Sequence, residues 1–433
     1  MKKIKILVTG LCLSRNRGGP AMALSFMNQI KSHLPAAAFT FAVAPEHLDL
    51  EKKWGNHYGV EVVARDTVVS WFITQSPFRM MFRLKRFLQG KTTKTYDNIK
   101  FWRSIHKKYK LEFYKADCVV NLNGIAFVGD GTLSWAKSLG ERTCSIYSKK
   151  HGKPFFRFIQ SYGPFKSWRF RLLAMMEFRK LPCVMARGEL AASSCREVAG
   201  NVPVYSFPDV AITLPCADEK WLHRYLKQFE LKPSTYIVLS PSAVIAAMPI
   251  KKNSSVGVKH VGIYKTVARH YLSMGEAILF VPHMTSPIIS QCDREVCNHI
   301  IDALVREGTD TNRCHIVDDE LDCRELKALI KGAKLSIVSR YHAFVAALST
   351  GVPAVAVGWN DKYQDLLDFY KSSRFAVDAR KGEPDDIAEA VIKKADSWSD
   401  EEIKLMRKCQ PKLEEMVSMA GKICADWIID VTR

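Results

Sequence analysis

The sequence predicts an α/β protein built from two Rossmann-like domains facing a cleft, with a helical C-terminal tail. Three observations lead there. Apolar runs of strand length alternate with helix-length segments in both halves of the chain. The loops after these runs carry Gly, Ser, Pro, Arg and His, residue types that suit ligand-binding turns at strand C-terminal ends. The composition shifts near Leu214-Pro215, where a second alternating region opens. The N-terminal domain is therefore expected over 1–213 and the C-terminal domain over 214–433. The tail starts at about residue 385, and its end is expected to cross back onto the first domain.

The elements follow in order. Ile4 to Val8 reads as the first strand and runs into a loop through Arg17-Gly18-Gly19-Pro20, with a helix from about Ala21. Ala38 to Val43 is a second strand. Residues 66–110 carry Trp71, Phe72, Phe78 and Phe82 beside basic residues and read as a basic helical insertion. Ala116 to Leu122 is a strand ending in Asn123-Gly124, and Thr143 to Tyr147 is read as another. A polar turn spans Gln160 to Phe165, and a helix follows over Trp168 to Arg179. Cys183 to Ala186 is a strand ending in Arg187-Gly188-Glu189, where a helix starts that Gly200-Asn201 stops. Val204 leads to Pro208-Asp209. Lys220 to Glu230 is a linker or first helix of the second domain. Tyr236 to Leu239 is a strand ending in Ser240-Pro241-Ser242, and Ala277 to Val281 is one ending in Pro282-His283.

The stretch Lys334 to Trp359 is the most informative. Leu335 to Val338 is a strand, and Ser339-Arg340-Tyr341-His342 opens an apolar helix that stops at Gly351. Val352-Pro353 then leads to a further strand, Ala354 to Val357. Arg340 is the only charged residue between Lys334 and Trp359. A helix N-terminus favours anions through its free N–H groups and its dipole. Arginine and histidine at that point suggest a bound phosphate or carboxylate. A solvated or hydrogen-bonded structural pair is the bland alternative.

Composition sets bounds. With 433 residues, 47% hydrophobic and 25% charged, the chain has an ordinary globular make-up and length for two domains. Its 12 cysteines form no C-x-x-C pair, so free thiols in a reducing cytosol are expected, with no metal framework. The basic start with its short apolar run is read as a first strand rather than a signal peptide, because Thr9, Gly10, Arg15 and Arg17 interrupt it. No run of 18 apolar residues suggests a membrane span. The net charge of +20 is concentrated. Arg79 to Lys110 holds 11 Lys/Arg against Asp97, and Lys149 to Lys180 holds nine against Glu177. Both windows are rich in aromatics, which suits an anionic membrane surface. No nucleic-acid module motif is present, so no nucleic-acid partner is expected.

Four segments share a resemblance. Ser339-Arg340-Tyr341-His342-Ala343, continued by Ala346, Leu348 and Gly351-Val352-Pro353, is similar to the R-x-H-A…G-V-P block of the polysaccharide pyruvyl transferases. Gln160 to Phe165 resembles that family's Q-x-x-G-P loop. Ala186 to Ala191, followed by Pro208-Asp209, resembles its arginine-led helix start, and Glu325 to Ile330 its acidic-start helix. The chain departs from the pattern at Asn123-Gly124, which carries one glycine where two or three are usual, and at Ala191, where serine is common.

The resemblance implies transfer of pyruvyl, as a ketal, from phosphoenolpyruvate to a sugar of a cell-surface polysaccharide such as capsule or exopolysaccharide, or to its lipid-linked precursor. Phosphoenolpyruvate serves as donor substrate, with no cofactor and no metal. The protein is then expected in the cytoplasm, at or near the inner membrane face. Arginine suits phosphate and carboxylate because its planar fork matches their oxygens. Arg187, Arg340 and His283 are the candidate donor ligands, and the strand-end loops add Gln160, Ser161, Ser242, Asn123 and Gly124. His342 is the candidate phosphate ligand and acid, and Asp209 or Glu189 the candidate base. Two rival readings stand beside this one. One is a GT-B-like glycosyltransferase using a nucleotide sugar. The other is a non-catalytic, membrane-associated subunit of a polysaccharide assembly complex.

Overall fold

The computed structural model describes residues 3–65, 99–127, 142–246, 256–285, 292–358, 362–380 and 382–433. The chain divides into two compact units. One comprises Met1–Ser14, Phe26–Phe207 and Ser418–Arg433; the other comprises Arg15–Ser25 and Pro208–Val417.

The N-terminal unit contains β1 (Lys5–Thr9), β2 (Ala38–Val43), β3 (Glu61–Ala64), β4 (Cys118–Asn121), β5 (Ile125–Ala126), β6 (Phe155–Arg157), β7 (Ser161–Tyr162), β8 (Val184–Arg187) and β9 (Val204–Phe207). Its main sheet has the order β3-β2-β1-β4-β6, all parallel. Strands β4 and β8 are buried at every position, as parallel strands covered on both faces must be. The chain after β6 then changes neighbours. Gln160 donates its N–H to Met185 O at 3.0 Å and accepts at its carbonyl from Arg187 N at 2.8 Å, which joins the β8–β9 pair to the sheet.

One buried ion pair organises this edge. Arg157 and Glu177 are both fully buried, and the guanidinium donates through Nε and Nη2 to Glu177 Oε1 at 3.0 and 2.8 Å. Glu177 Oε2 accepts from Ser145 Oγ at 2.7 Å and from Arg142 Nε at 3.4 Å. Arg157 Nη1 reaches Asn121 Oδ1 and Gln160 Oε1. The remaining polar atoms are thereby satisfied, the condition under which a buried pair is tolerated.

One local expectation is corrected. Thr143 to Tyr147 is the start of a helix, Thr143–Lys150, not a strand. Its buried residues Cys144, Ser145 and Ser148 recur at helical spacing, and Ser145 and Arg142 are drawn inward by Glu177. Of the basic insertion expected over 66–110, residues 66–98 lie outside the described residues. Residues 99–110 open the helix Ile99–Lys115, whose Ile105, Tyr109 and Phe113 are buried four residues apart. Tyr109, counted with the aromatics of the basic window, therefore serves the core. The end of the tail helix Asp400–Thr432 packs in this unit, where Trp427 meets Phe156 with ring centroids 5.0 Å apart.

The C-terminal unit holds β10 (Tyr236–Ser240), β11 (Ala277–Phe280), β12 (Cys314–Ile316), β13 (Leu335–Val338), β14 (Ala354–Gly358) and β15 (Ala376–Asp378). They form one parallel sheet of order β12-β11-β10-β13-β14-β15. Counted within the unit this is 3-2-1-4-5-6, the doubly wound order of dinucleotide-binding folds. The order reverses between β10 and β13, whose ends Ser240 and Val338 are register partners. A crevice forms at such a point because the two connecting chains leave toward opposite faces. All 12 cysteines are free thiols.

Replacing Arg157 by methionine should lower stability by about 3–5 kcal/mol, because Glu177 then loses its principal cation. Urea denaturation checks this, and Arg157→Met/Glu177→Leu should recover most of the loss. A double variant no more stable than the single one would show that the charge is not the cause.

Candidate active site

The switch point of the C-terminal unit is locked by a serine. Ser339 donates its N–H to Ser240 O at 2.8 Å and its hydroxyl to Val357 O at 2.8 Å, while Tyr363 donates its hydroxyl to Ser339 O at 2.7 Å. The helix Tyr341–Ser349 starts directly after, with Arg340 in extended conformation at its N-cap. Positions 343–348 are all buried, so packing rather than a capping side chain fixes where this helix begins.

Arg340 is anchored. Its Nε donates to Asp293 Oδ2 at 2.8 Å and its Nη2 to Asp293 Oδ1. Asp293 is fully buried and also accepts from the backbone N–H groups of Ala243 (2.9 Å), His283 (3.2 Å) and Met284 (2.9 Å). One carboxylate thus ties the loop after β10, the loop after β11 and the N-cap after β13 to each other. Nη2 also lies 3.6 Å from Met284 Sδ.

His342 is the second residue of the helix, 17% exposed at the side chain. Its Nε2 lies 3.6 Å from Asp209 Oδ2 and has no hydrogen-bond partner although buried. Asp209 caps the turn Val210–Thr213 by accepting from Ala211 N at 2.8 Å. A Cβ on Gly18 would stand 2.0 Å from His342 Nδ1, so only glycine lets the start of the helix Gly18–His33 lie against the ring; from the sequence alone Gly18 is expected in a loop before a helix from about Ala21. The backbone N–H of the preceding Arg17 donates to His283 O at 3.0 Å.

Arg17, Lys327, His283 and His342 line one cavity. Its open space is about 20 Å³, the scale of a water-sized group, so a larger anion must displace its walls on entry. Lys327 is buried and donates to Ile212 O at 3.0 Å. Burial brings its ammonium down to about pKa 8. Burial also pushes His283 down to about 3, against a weaker opposing bond to Val281 O. His260, which accepts from Ser242 N at 3.1 Å, falls to about 3 for the same reason. Both rings are therefore neutral at pH 7, and the cavity's cations are Arg17 and Lys327.

The remaining candidates belong to the N-terminal unit. Arg187, at the end of β8, donates through Nε to Ser161 Oγ at 2.9 Å and through Nη2 to Gly124 O at 2.6 Å. These three and the adjoining Asn123 gather at the ends of β5, β7 and β8. Gln160 is fully buried, donates to Asn121 Oδ1 at 2.7 Å and belongs to the Arg157–Glu177 network. Glu189 is exposed on the helix Glu189–Ala199 and pairs with Arg196, which holds its carboxyl below the usual range. A carboxylate so held is a poorer base than one near neutrality.

The sequence reading missed Lys327, Asp293 and the role of Arg17. Lys327 was legible in part: it is the basic residue inside Glu325 to Ile330, on a helix whose other inward residues are apolar. Arg17 precedes the glycine that touches His342. Asp293 gave no signal, since an acid in the first turn of a helix is ordinary. Among the described residues no group of three His, Cys, Asp or Glu could hold a metal ion.

The two parallel-sheet units define the class: an α/β fold of the GT-B kind. Solved structures share it. UDP-GlcNAc 2-epimerase of Neisseria meningitidis, bound to UDP-GlcNAc, aligns over 99% of this chain and 100% of its own, with TM-score 0.53 and 12% identity. HepE of Anabaena, in complex with UDP-glucose, aligns over 99% and 100%, with TM-score 0.54 and 12% identity. The polysaccharide pyruvyl transferase family model matches residues 82–361, and the chain belongs to that family. It is also 23% identical over 449 residues to the amylovoran biosynthesis protein AmsJ of Erwinia amylovora, covering 98% of this chain and 99% of that protein.

Replacing Arg340 by alanine leaves Asp293 buried without its cation, and stability should fall by about 3–5 kcal/mol. Thermal denaturation reads this, with Arg340→Ala/Asp293→Asn expected to be more stable than Arg340→Ala. An alanine variant as stable as the parent would show that Arg340 is not an anchor.

Proposed function

We propose that the protein transfers pyruvyl from phosphoenolpyruvate to a sugar of a cell-surface polysaccharide or its lipid-linked precursor, and that the cavity at His342 binds the donor. The observation that carries this is the meeting of Arg17, Lys327 and the unpartnered His342 Nε2 at one sheet switch point. Phosphoenolpyruvate bears about three negative charges near neutrality, and buried cations compensate them strongly because little water screens them.

In this reading one sugar hydroxyl adds to C2 of the donor while C3 takes a proton and becomes a methyl group. A second hydroxyl then bonds to C2 as the C2–O bond to phosphate breaks. One hydroxyl proton is balanced by the proton gained at C3, and the other leaves with the phosphate. His342 supplies the proton to C3, Asp209 accepts from the hydroxyl, and Arg17 and Lys327 stabilise the departing phosphate. Arg340 orients His342 by fixing the N-cap that precedes it.

Labelled phosphoenolpyruvate with a polysaccharide acceptor should give labelled ketal and free phosphate; labelled nucleotide sugars should give no transfer. Lys327→Met should raise the dissociation constant for phosphoenolpyruvate at least tenfold. Binding favours the charged ammonium, so affinity should be greatest below about pH 8 and fall as the amine deprotonates above it. Titration calorimetry from pH 6.5 to 9.5 measures this, and a flat profile would remove Lys327 from the site.

A lipid-linked acceptor places the enzyme at an anionic membrane surface. The helix Trp168–Phe178 supports that placement: Trp168, Leu172 and Met176 are exposed four residues apart, beside exposed Arg169, Arg171 and Arg179. No helix among the described residues is long and apolar enough to span a bilayer. Vesicles rich in phosphatidylglycerol should carry the protein in flotation at low salt, and Trp168→Ser/Leu172→Ser should reduce this several-fold. Absence of flotation at low salt would oppose the placement.

A further inference from the structure

We propose that the groove between the helix Glu219–Lys227 and the loop after β12 is a glycan-binding subsite. It would hold sugar units of the acceptor that lie beyond the one receiving pyruvyl. This rests on the acceptor being a polysaccharide or an oligosaccharide precursor, as read above. The groove has about 260 Å³ of open space and is lined by Trp221, Arg224, Tyr225, Gln228 and Asp319.

The helix presents four of these residues at spacing i, i+3, i+4 and i+7, which is one face. Leu222 and Leu226 are buried on the other side and anchor the helix, so the aromatic residues are not needed to hold it in place. Trp221 and Tyr225 stack with centroids 5.0 Å apart and planes 15° apart. Tyr225 donates its hydroxyl to Asp319 Oδ2 at 2.9 Å, which fixes its ring. The result is a rigid aromatic platform bordered by a carboxylate, an amide and a guanidinium.

That combination fits a sugar ring. One face of a pyranose is lined by C–H groups, which pack on the electron-rich face of an aromatic ring. Its edge carries hydroxyls, each both donor and acceptor, which planar Asp, Gln and Arg groups can bond in pairs. Arg224 and Asp319 balance in charge, so the groove suits a neutral ring better than a polyanion.

The groove neighbours the proposed donor cavity through shared lining residues. Asp319 lines it together with the neighbouring cavity, which Arg17 and His283 line as well. Arg17 and His283 in turn line the cavity at His342. The three spaces are lined in turn by residues that follow β13, β11 and β12, at the C-terminal edge of the sheet. The three strand spacings between β12 and β13 make this roughly 14 Å, within reach of a short oligosaccharide.

An array of bacterial surface oligosaccharides, probed with the full-length protein and no phosphoenolpyruvate, tests the site separately from the donor reading. The wild type should retain a subset of glycans. Trp221→Ala should bind them at least tenfold more weakly, Trp221→Phe should keep part of the binding, and Lys327→Met should bind as wild type. In transfer assays, Trp221→Ala should raise the KM for an extended acceptor at least tenfold and leave the KM for phosphoenolpyruvate unchanged. Circular dichroism confirms that the variants fold. No retention on the array, equal retention by Trp221→Ala, or displacement of the glycan by UMP would overturn the proposal, the last by marking the groove as a nucleobase site.

Discussion

The carboxylate of Asp293 is the constraint on which the geometry of the C-terminal site depends. It is fully buried, and it accepts from three backbone N–H groups and both arms of the Arg340 fork. A carboxylate is acceptor-only when ionised, so five donors aimed at two oxygens leave little freedom to any of the loops that supply them. His283, Met284 and Ala243 are therefore held in place by the same group that holds the N-cap of the His342 helix. Arg340, a candidate ligand in the sequence, is anchored in the structure through Nε and Nη2.

That anchor lets the surrounding cations remain close to one another. Arg17 and Lys327 are buried beside a cavity, at a desolvation cost visible in the lowered pKa of Lys327. His283 and His260 avoid the same cost by remaining neutral. Beside these groups the Nε2 of His342 is buried without a hydrogen-bond partner, and an unsatisfied buried polar atom is costly to a fold. The N-terminal unit shows the opposite solution. Its buried Arg157 is matched internally by Glu177, Asn121 and Gln160, so that charge organises a sheet edge and the network is satisfied without a ligand.

The motif residues divide along this line. Gln160, chosen from a loop motif, is held in the Arg157 network, whereas the neighbouring Ser161 contacts Arg187. Adjacent positions in an extended segment point to opposite sides, so a motif can carry one structural and one site residue in succession. The same distinction holds for the acids: Glu189 opens its helix and is paired with Arg196 in solvent, while Asp209 is buried beside His342.

Whereas the helix expected from about Ala21 already begins at Gly18, the sequence by itself determined the alternation of strand and helix, the strand Leu335–Val338 before Arg340, and the family. These are properties of short segments: apolar period, turn residues and motif spacing survive in one dimension. It did not determine that Thr143–Lys150 is a helix, since a run this short takes its form from what it packs against, here Glu177 and the residues around it. Nor did it reveal Lys327, Asp293 or the Trp221–Tyr225 platform. Lys327 and Asp293 are ordinary in their own helices and acquire meaning from residues about 40 to 120 positions away. Only the parallel sheet, with its order reversed between β10 and β13, brings those distant loops to one edge. Burial there decides which of their charges stay ionised and which, like those of His283 and His260, are given up.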